Sequence, residues 1–166
     1  MLDIYTLGDE ILRERCKPVK TFDSALSMLV DAMFTTMAEA NGVGLAAPQV
    51  GVDSRLFVVD IPDFGKRVFI NPQIIETSVE VSCAEEGCLS VPGLWHDVER
   101  PSSIVVQAQD ERGKVFTLKA DGLLARAIQH ENDHLNGVLF IDRLEEVEQQ
   151  KMLKAWEKRS KRRVGG

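Results

Sequence analysis

"IQHENDHLNGVLF", residues 128–140, sets two histidines four residues apart with a glutamate directly after the first. The fold turns on whether this stretch is helical. On an α-helix, positions four apart share a face, with Cβ atoms about 5–6 Å apart. His130 and His134 can then reach one metal ion together. Asp121 is placed to cap such a helix, which runs through Asn136 and is ended by Gly137. Traced back from His130, the same face carries Ala127 or Arg126 and then Leu123, a strip that could line a substrate pocket. Polar Gln129, Asn132 and Asp133 fill the other face.

Two imidazoles do not complete a site. The stretch follows the pattern H-E-x-x-H-x-x-G-x-x-H until its last position, where Phe140 stands instead of a third histidine and cannot ligate. Glu145, Glu146 and Glu148 come close behind, in a segment that reads as an amphipathic surface helix. His96, Cys16, Cys83 and Cys88 remain as donors. Cys88, in "EEGCLSVPG" (85–93), is the best placed, because Gly87 lets the backbone approach something closely. Taken alone, it reads more readily as a buried, inert thiol.

Working outward, a helix is expected from about Asp23, its N-cap, to Asn41-Gly42, with Leu26, Leu29, Val30, Met33 and Met37 at helical spacing. "RLFVVD" (55–60), "RVFINP" (67–72) and "IIETSVEVSC" (74–83) read as strands, and residues 104–120 as a hairpin around "ERG". A last helix is expected over about 143–162. A helix, strands together and then helices predict an α+β fold, with mainly antiparallel sheets packed around the central H-E-x-x-H helix and a helix toward each end.

The chain has 166 residues, of which 44% are hydrophobic and 28% charged, as in an ordinary globular protein. It is read as one catalytic domain spanning 1–166. A net charge of −6 argues against a nucleic-acid reader. The tail 151–163 is the exception, with seven Lys/Arg against Glu157 alone. No apolar run reaches membrane-spanning length, and the N-terminus lacks the pattern of a secretory signal. Three irregularly spaced cysteines suit a reducing cytoplasm.

"GVGLAAPQ" (42–49), "EGCLS" (86–90) and "HENDH" (130–134) occur in that order. Together they resemble the three motifs of the peptide deformylases, and the likeness runs from "LGDEILRERCKPV" through the last helix. The resemblance implies hydrolysis of the formyl group from the N-terminal methionine of a new polypeptide. It implies one divalent ion held by Cys88, His130 and His134, with Fe2+ native and Zn2+, Ni2+ or Co2+ as alternatives. Glu131 would carry the proton. The Gln49 side-chain amide and the Leu89 backbone N–H would serve the developing oxyanion. Gly44 would meet the substrate backbone, and Val43, Leu123 and Ala127 would receive the methionine side chain. The partners implied are N-formylmethionyl nascent chains, with the ribosome as a candidate through the basic terminal helix, and neither membrane nor specific nucleic-acid readout.

Arg126 departs from the apolar residue many relatives carry there, and its guanidinium is expected to reach water. Asp133, Glu86 and Arg100 are expected to form an ion-pair cluster that orients the ligands. Trp95 and His96 are placed near the site entrance or on a loop. The apolar residues of the last helix, Leu144, Val147, Met152, Leu153 and Trp156, form no single clean stripe.

Overall fold

The structure is a computed structural model that describes residues 2–165, with side chains described through residue 160. The expected first helix is α1, Ser24–Glu39. Asp23 Oδ1 accepts the Leu26 N–H at 3.0 Å and so caps it. At its other end Asn41 takes the left-handed conformation, with φ 59°.

Strands follow as β1 (Gly44–Ala46), β2 (Leu56–Ile61), β3 (Gly65–Thr77), β4 (Val81–Cys88), β5 (Val91–Pro101), β6 (Ser103–Gln109) and β7 (Val115–Asp121). A 3-10 turn, Ala47–Val50, lies between β1 and β2. Helix α2 is Gly122–Leu135 and α3 is Glu146–Gly165, with another 3-10 turn, Phe140–Arg143, between them. Five strands form one sheet in the order β1-β2-β3-β6-β7, while β4 and β5 form a separate two-stranded ribbon. Every pairing is antiparallel. The α+β expectation holds.

Strand β2 shows how the layers are specified. Successive side chains on a strand point to opposite faces. Phe57, Val59 and Ile61 pack with Leu124, Ala125, Ala127, Ile128 and Leu135 of α2. Leu56 and Val58 pack with Leu26, Val30, Met33 and Met37 of α1. The sheet is thus covered on both faces, and α2 sits inside the molecule. Each fully buried side chain of this kind contributes about 1.5–3 kcal/mol.

Several boundaries differ from expectation. The extended run 74–83 is two strands, because the chain changes sheets in its middle. Its first half continues β3 and its second begins β4, with Ser78 Oγ donating to Glu80 O at 2.7 Å in the turn between them. Strand β5 was not expected, since the Pro-Gly and mixed polar residues after Cys88 mask its alternation. Asp121 stands at the α2 N-cap position without a side-chain cap bond. Its backbone is still paired with Ser103 in the β6–β7 ladder, so strand passes straight into helix. The last helix begins at Glu146, because Leu144 is extended after the 3-10 turn.

The terminal helix is better anchored than its sequence pattern suggests. Met152 is buried with Val91 and Val98 of β5 and with Leu139, Phe140 and Ile141, and Leu144, Leu153 and Trp156 pack against this cluster. Val147 is exposed. Side chains 161–163, the end of the basic run, lie outside those described. Among the described residues, no helix is long and apolar enough to cross a membrane.

Candidate metal centre

Helix α2 presents His130 and His134 on one face, with ring centroids 5.2 Å apart and the rings edge to face. The ribbon brings the third donor. β4 ends at Cys88 after an irregularity in its register between Gly87 and Cys88, and this turns the thiol toward the helix. Cys88 Sγ lies 3.3 Å from His134 Nε2. The donor atoms of Cys88, His130 and His134 all lie within 4.8 Å of one another. A tetrahedral ion with typical bond lengths wants such atoms about 3.3–3.6 Å apart, so modest closure suffices.

His96 is elsewhere, bonded to Asp97 O at 2.8 Å and to Glu148 Oε2 at 3.2 Å. Phe140, at the place of a third histidine, stacks on the His130 ring at 6.1 Å with 22° between the planes.

A cleft of about 550 Å³ opens over these donors. It is lined by Val43, Gly44, Gln49, Cys88, Leu89, Leu123, Ala127, His130 and Glu131, and also by Trp95 and Arg126. Of the ligand, catalytic and substrate residues that the resemblance implies, His134 alone is not on its wall; it is buried behind. A Cβ at Gly44 would stand 2.5 Å from Glu131 Oε2, so any side chain there would displace the Glu131 carboxylate. Gly87 is covered by the Trp95 ring in the same sense. Gln49 is 1% exposed. Its Oε1 accepts the Ala46 N–H at 2.9 Å, so its Nε2 faces Ser90 Oγ at 3.1 Å and Cys88 Sγ at 3.6 Å.

Behind the donors lies the ion-pair cluster. Glu86 Oε1 accepts from His130 Nδ1 at 2.8 Å, which leaves Nε2 of that ring free to ligate. Arg100 donates to both Glu86 oxygens, at 2.7 and 3.0 Å, and to Asp133 Oδ2 at 2.9 Å. Arg143 adds two bonds to Asp133.

The polypeptide deformylase family model matches residues 1–150. The chain belongs to the peptide deformylase family. It is 50% identical to a peptide deformylase of Chromobacterium violaceum over 99% of each chain. It is 52% identical to one of Caldicellulosiruptor bescii, over 89% of this chain and 92% of the relative. Among solved structures, it matches a Legionella pneumophila peptide deformylase with a TM-score of 0.92 and 43% identity, covering 99% and 98% of the two chains. It matches a Synechococcus elongatus peptide deformylase, solved with actinonin, with a TM-score of 0.88 and 46% identity, covering 93% and 86%.

The electrostatics fit the metal dependence of this family. Burial opposes protonation of His130, yet Glu131, Cys88 and Glu86 together push its pKa well above 6.5. Burial, then the neighbouring His130, pushes His134 well below 6.5. Burial raises the Glu131 carboxyl to about 7 against the pull of His130, and its Oε1 is buried without a protein partner. For Glu86, burial is outweighed by hydrogen bonds from His130 and Arg100 and by the Arg100 charge, which hold it at about 2. A thiol and two carboxylates crowd a buried imidazole pair, an arrangement that suits a divalent cation.

Two contributors were missed or misread in the sequence. Ser90, fully buried, accepts from Gln49 Nε2 and sends its backbone N–H toward Cys88 Sγ at 3.4 Å. Its only signal is its place in "EGCLS". The Arg126 guanidinium does not reach into water. It donates to Glu86 Oε2 at 2.6 Å, Val98 O at 2.8 Å and Ser82 O at 2.9 Å, because the ribbon lies across it.

Proposed function

We propose that the cleft over Cys88, His130 and His134 is where this chain removes the formyl group from the N-terminal formylmethionine of new polypeptides. The C–N bond of the formamide breaks. Water supplies a hydroxyl to the formyl carbon and a proton to the departing amine, giving formate and a free N-terminus. Three protein donors leave a position open, and a divalent ion bound there supplies Lewis acidity and a nucleophile at neutral pH. We take Fe2+ as the native ion, with Zn2+, Ni2+ or Co2+ able to replace it.

Glu131 takes the proton of the attacking water and hands it to the amine. It lines the cleft beside His130 and its Oε1 has no protein partner, so the carboxylate can face both the water and the amine. The Gln49 Nε2 and the Leu89 N–H stabilise the charge that grows on the formyl oxygen. β1 is an edge strand, so an extended peptide can lie along it at Gly44. Val43, Leu123 and Ala127 offer apolar surface for the methionine side chain, whose thioether adapts to such a pocket. The whole chain, 1–166, acts as one catalytic unit in the cytoplasm.

The observation that carries this reading is the convergence of a thiol from the ribbon and two imidazoles from α2 beneath a cleft that holds Glu131. Protein purified without oxygen should contain about one divalent ion per chain and release formate from formyl-Met-Ala. Cys88→Ser should lose both. Gln49→Ala should keep its ion and lose at least about tenfold in turnover, since one oxyanion donor is worth a few kcal/mol. Full formate release by Cys88→Ser would end the reading.

The ribosome is the proposed docking partner of the basic end of α3. Neutralising the exposed Lys154 and Lys158, while keeping Met152 and Trp156, should weaken co-sedimentation with ribosomes and leave formate release intact. Undiminished co-sedimentation would count against it.

A further inference from the structure

The two walls of the cleft belong to different parts of the fold. α2 is rooted in the core under the five-stranded sheet. The β4–β5 ribbon packs instead through β5 with α3. Arg126 bridges them. Its NH1 reaches Glu86 Oε2 on β4 and Val98 O on β5, and its NH2 reaches Ser82 O at 2.9 Å and Ser82 Oγ at 3.2 Å, again on β4. Its side chain is only 11% exposed, and it also faces the cleft beside Leu123 and Ala127. A planar guanidinium can serve these acceptors at once, whereas a lysine ammonium presents a point charge on a flexible stem. One of them, Glu86, is the carboxylate that fixes the His130 ring.

We propose that Arg126 is a positioning residue. By tying α2 to both strands of the ribbon, it sets the width of the cleft beside the methionine side chain and the placement of Cys88 against His130 and His134. The first half of this statement rests on the deformylase reading; the second rests on the donor geometry alone. Both follow from the same gap between helix and ribbon. Without the guanidinium, the ribbon keeps its Arg100–Asp133, Glu86–His130 and Gln129–Pro101 links to α2 but loses the tie beside Leu123 and Ala127, and a displacement of about 1 Å matters at a site of this kind.

The test compares wild type with Arg126→Met, which keeps an unbranched apolar stem, and Arg126→Lys, which keeps the charge. Co2+-loaded protein is challenged with EDTA and ion loss is followed by absorbance. Separately, kcat/KM is measured for formyl-Met-Ala and formyl-Phe-Ala. Arg126→Met should lose its ion about tenfold faster, in the range seen when partners behind metal ligands are removed. Its preference for methionine over phenylalanine should fall at least about threefold. Arg126→Lys should fall between.

A plain stabilising bridge would lower the melting temperature and move neither readout. Either readout staying within about twofold of wild type therefore overturns the proposal. If Arg126→Met does not fold, the same criteria apply to Arg126→Lys. If wild type releases no formate, the functional reading fails, and the ion-loss measurement alone decides the role of Arg126.

Discussion

The three candidate metal donors arrive on two supports built in opposite ways. His130 and His134 ride on α2, which is held by apolar packing against Phe57, Val59 and Phe69. Cys88 rides on a two-stranded ribbon whose links to α2 are mainly ionic, running from Arg100 and Arg126 through Glu86 and Asp133, with one neutral bond from Gln129 to Pro101 O. Apolar packing is non-directional and tolerates small shifts. Charge-assisted hydrogen bonds specify direction, and they fail sharply when one partner is lost. The helix side thus provides a stable floor, and the ribbon side provides aim.

The largest expected break in this contrast is Arg100→Ala. Removing one partner of a buried pair typically costs 3–5 kcal/mol. About 3 kcal/mol is expected here, because Arg126 still serves Glu86 and Arg143 still serves Asp133. The loss should be local. Amide exchange should rise in β4 and β5 before it rises in β2 and β3, and the ion should be held less tightly. Equal loss of protection throughout would mean that the two supports are not distinct.

Glu86→Gln gives the next effect, and it depends on pH. In the folded chain Glu86 is held at about 2, against an ordinary value of 4.5. Between these values the unfolded chain binds more protons, so stability rises with pH there. The contribution is complete above about 4.5 and is lost as pH falls through 2. In metal-free protein, chemical denaturation from pH 6 down to 2 should show a shallower acid decline for Glu86→Gln than for wild type. Identical slopes would show that Glu86 is not held as the geometry says.

The smallest effect is expected on the helix side. Ile128→Val deletes one buried methylene and should cost about 0.5–1.5 kcal/mol in urea unfolding. Formate release should barely change. A larger change in activity than in stability would show that the floor also contributes to aim.

What the sequence made legible follows the same division. The spacing of His130 and His134, the cap at Asp23 and the β6–β7 hairpin are local patterns, and all were readable. The motif likeness singled out Cys88, which spacing alone left open. The ribbon was not readable. "SVPGLWHDVER" lacks an apolar alternation because the inward face of β5 carries Leu94, His96, Val98 and Arg100 in turn, apolar where it joins the α3 cluster and charged where it meets Glu86 and Asp133. Buried Arg100 therefore breaks the apolar pattern that marks a strand. Arg126 was misread for a related reason. Its partners are carbonyls and a carboxylate some 28 to 44 residues away in the chain, which no local pattern reveals.

Phe140 carries a final consequence. Its ring stacks on His130 with 22° between the planes and is buried among Val91, Val98, Leu139 and Ile141. A histidine written into the same place would inherit that stacked pose. Converting this scaffold to an all-nitrogen centre would therefore require the loop after α2 to be rebuilt and the sulfur on the ribbon to be removed.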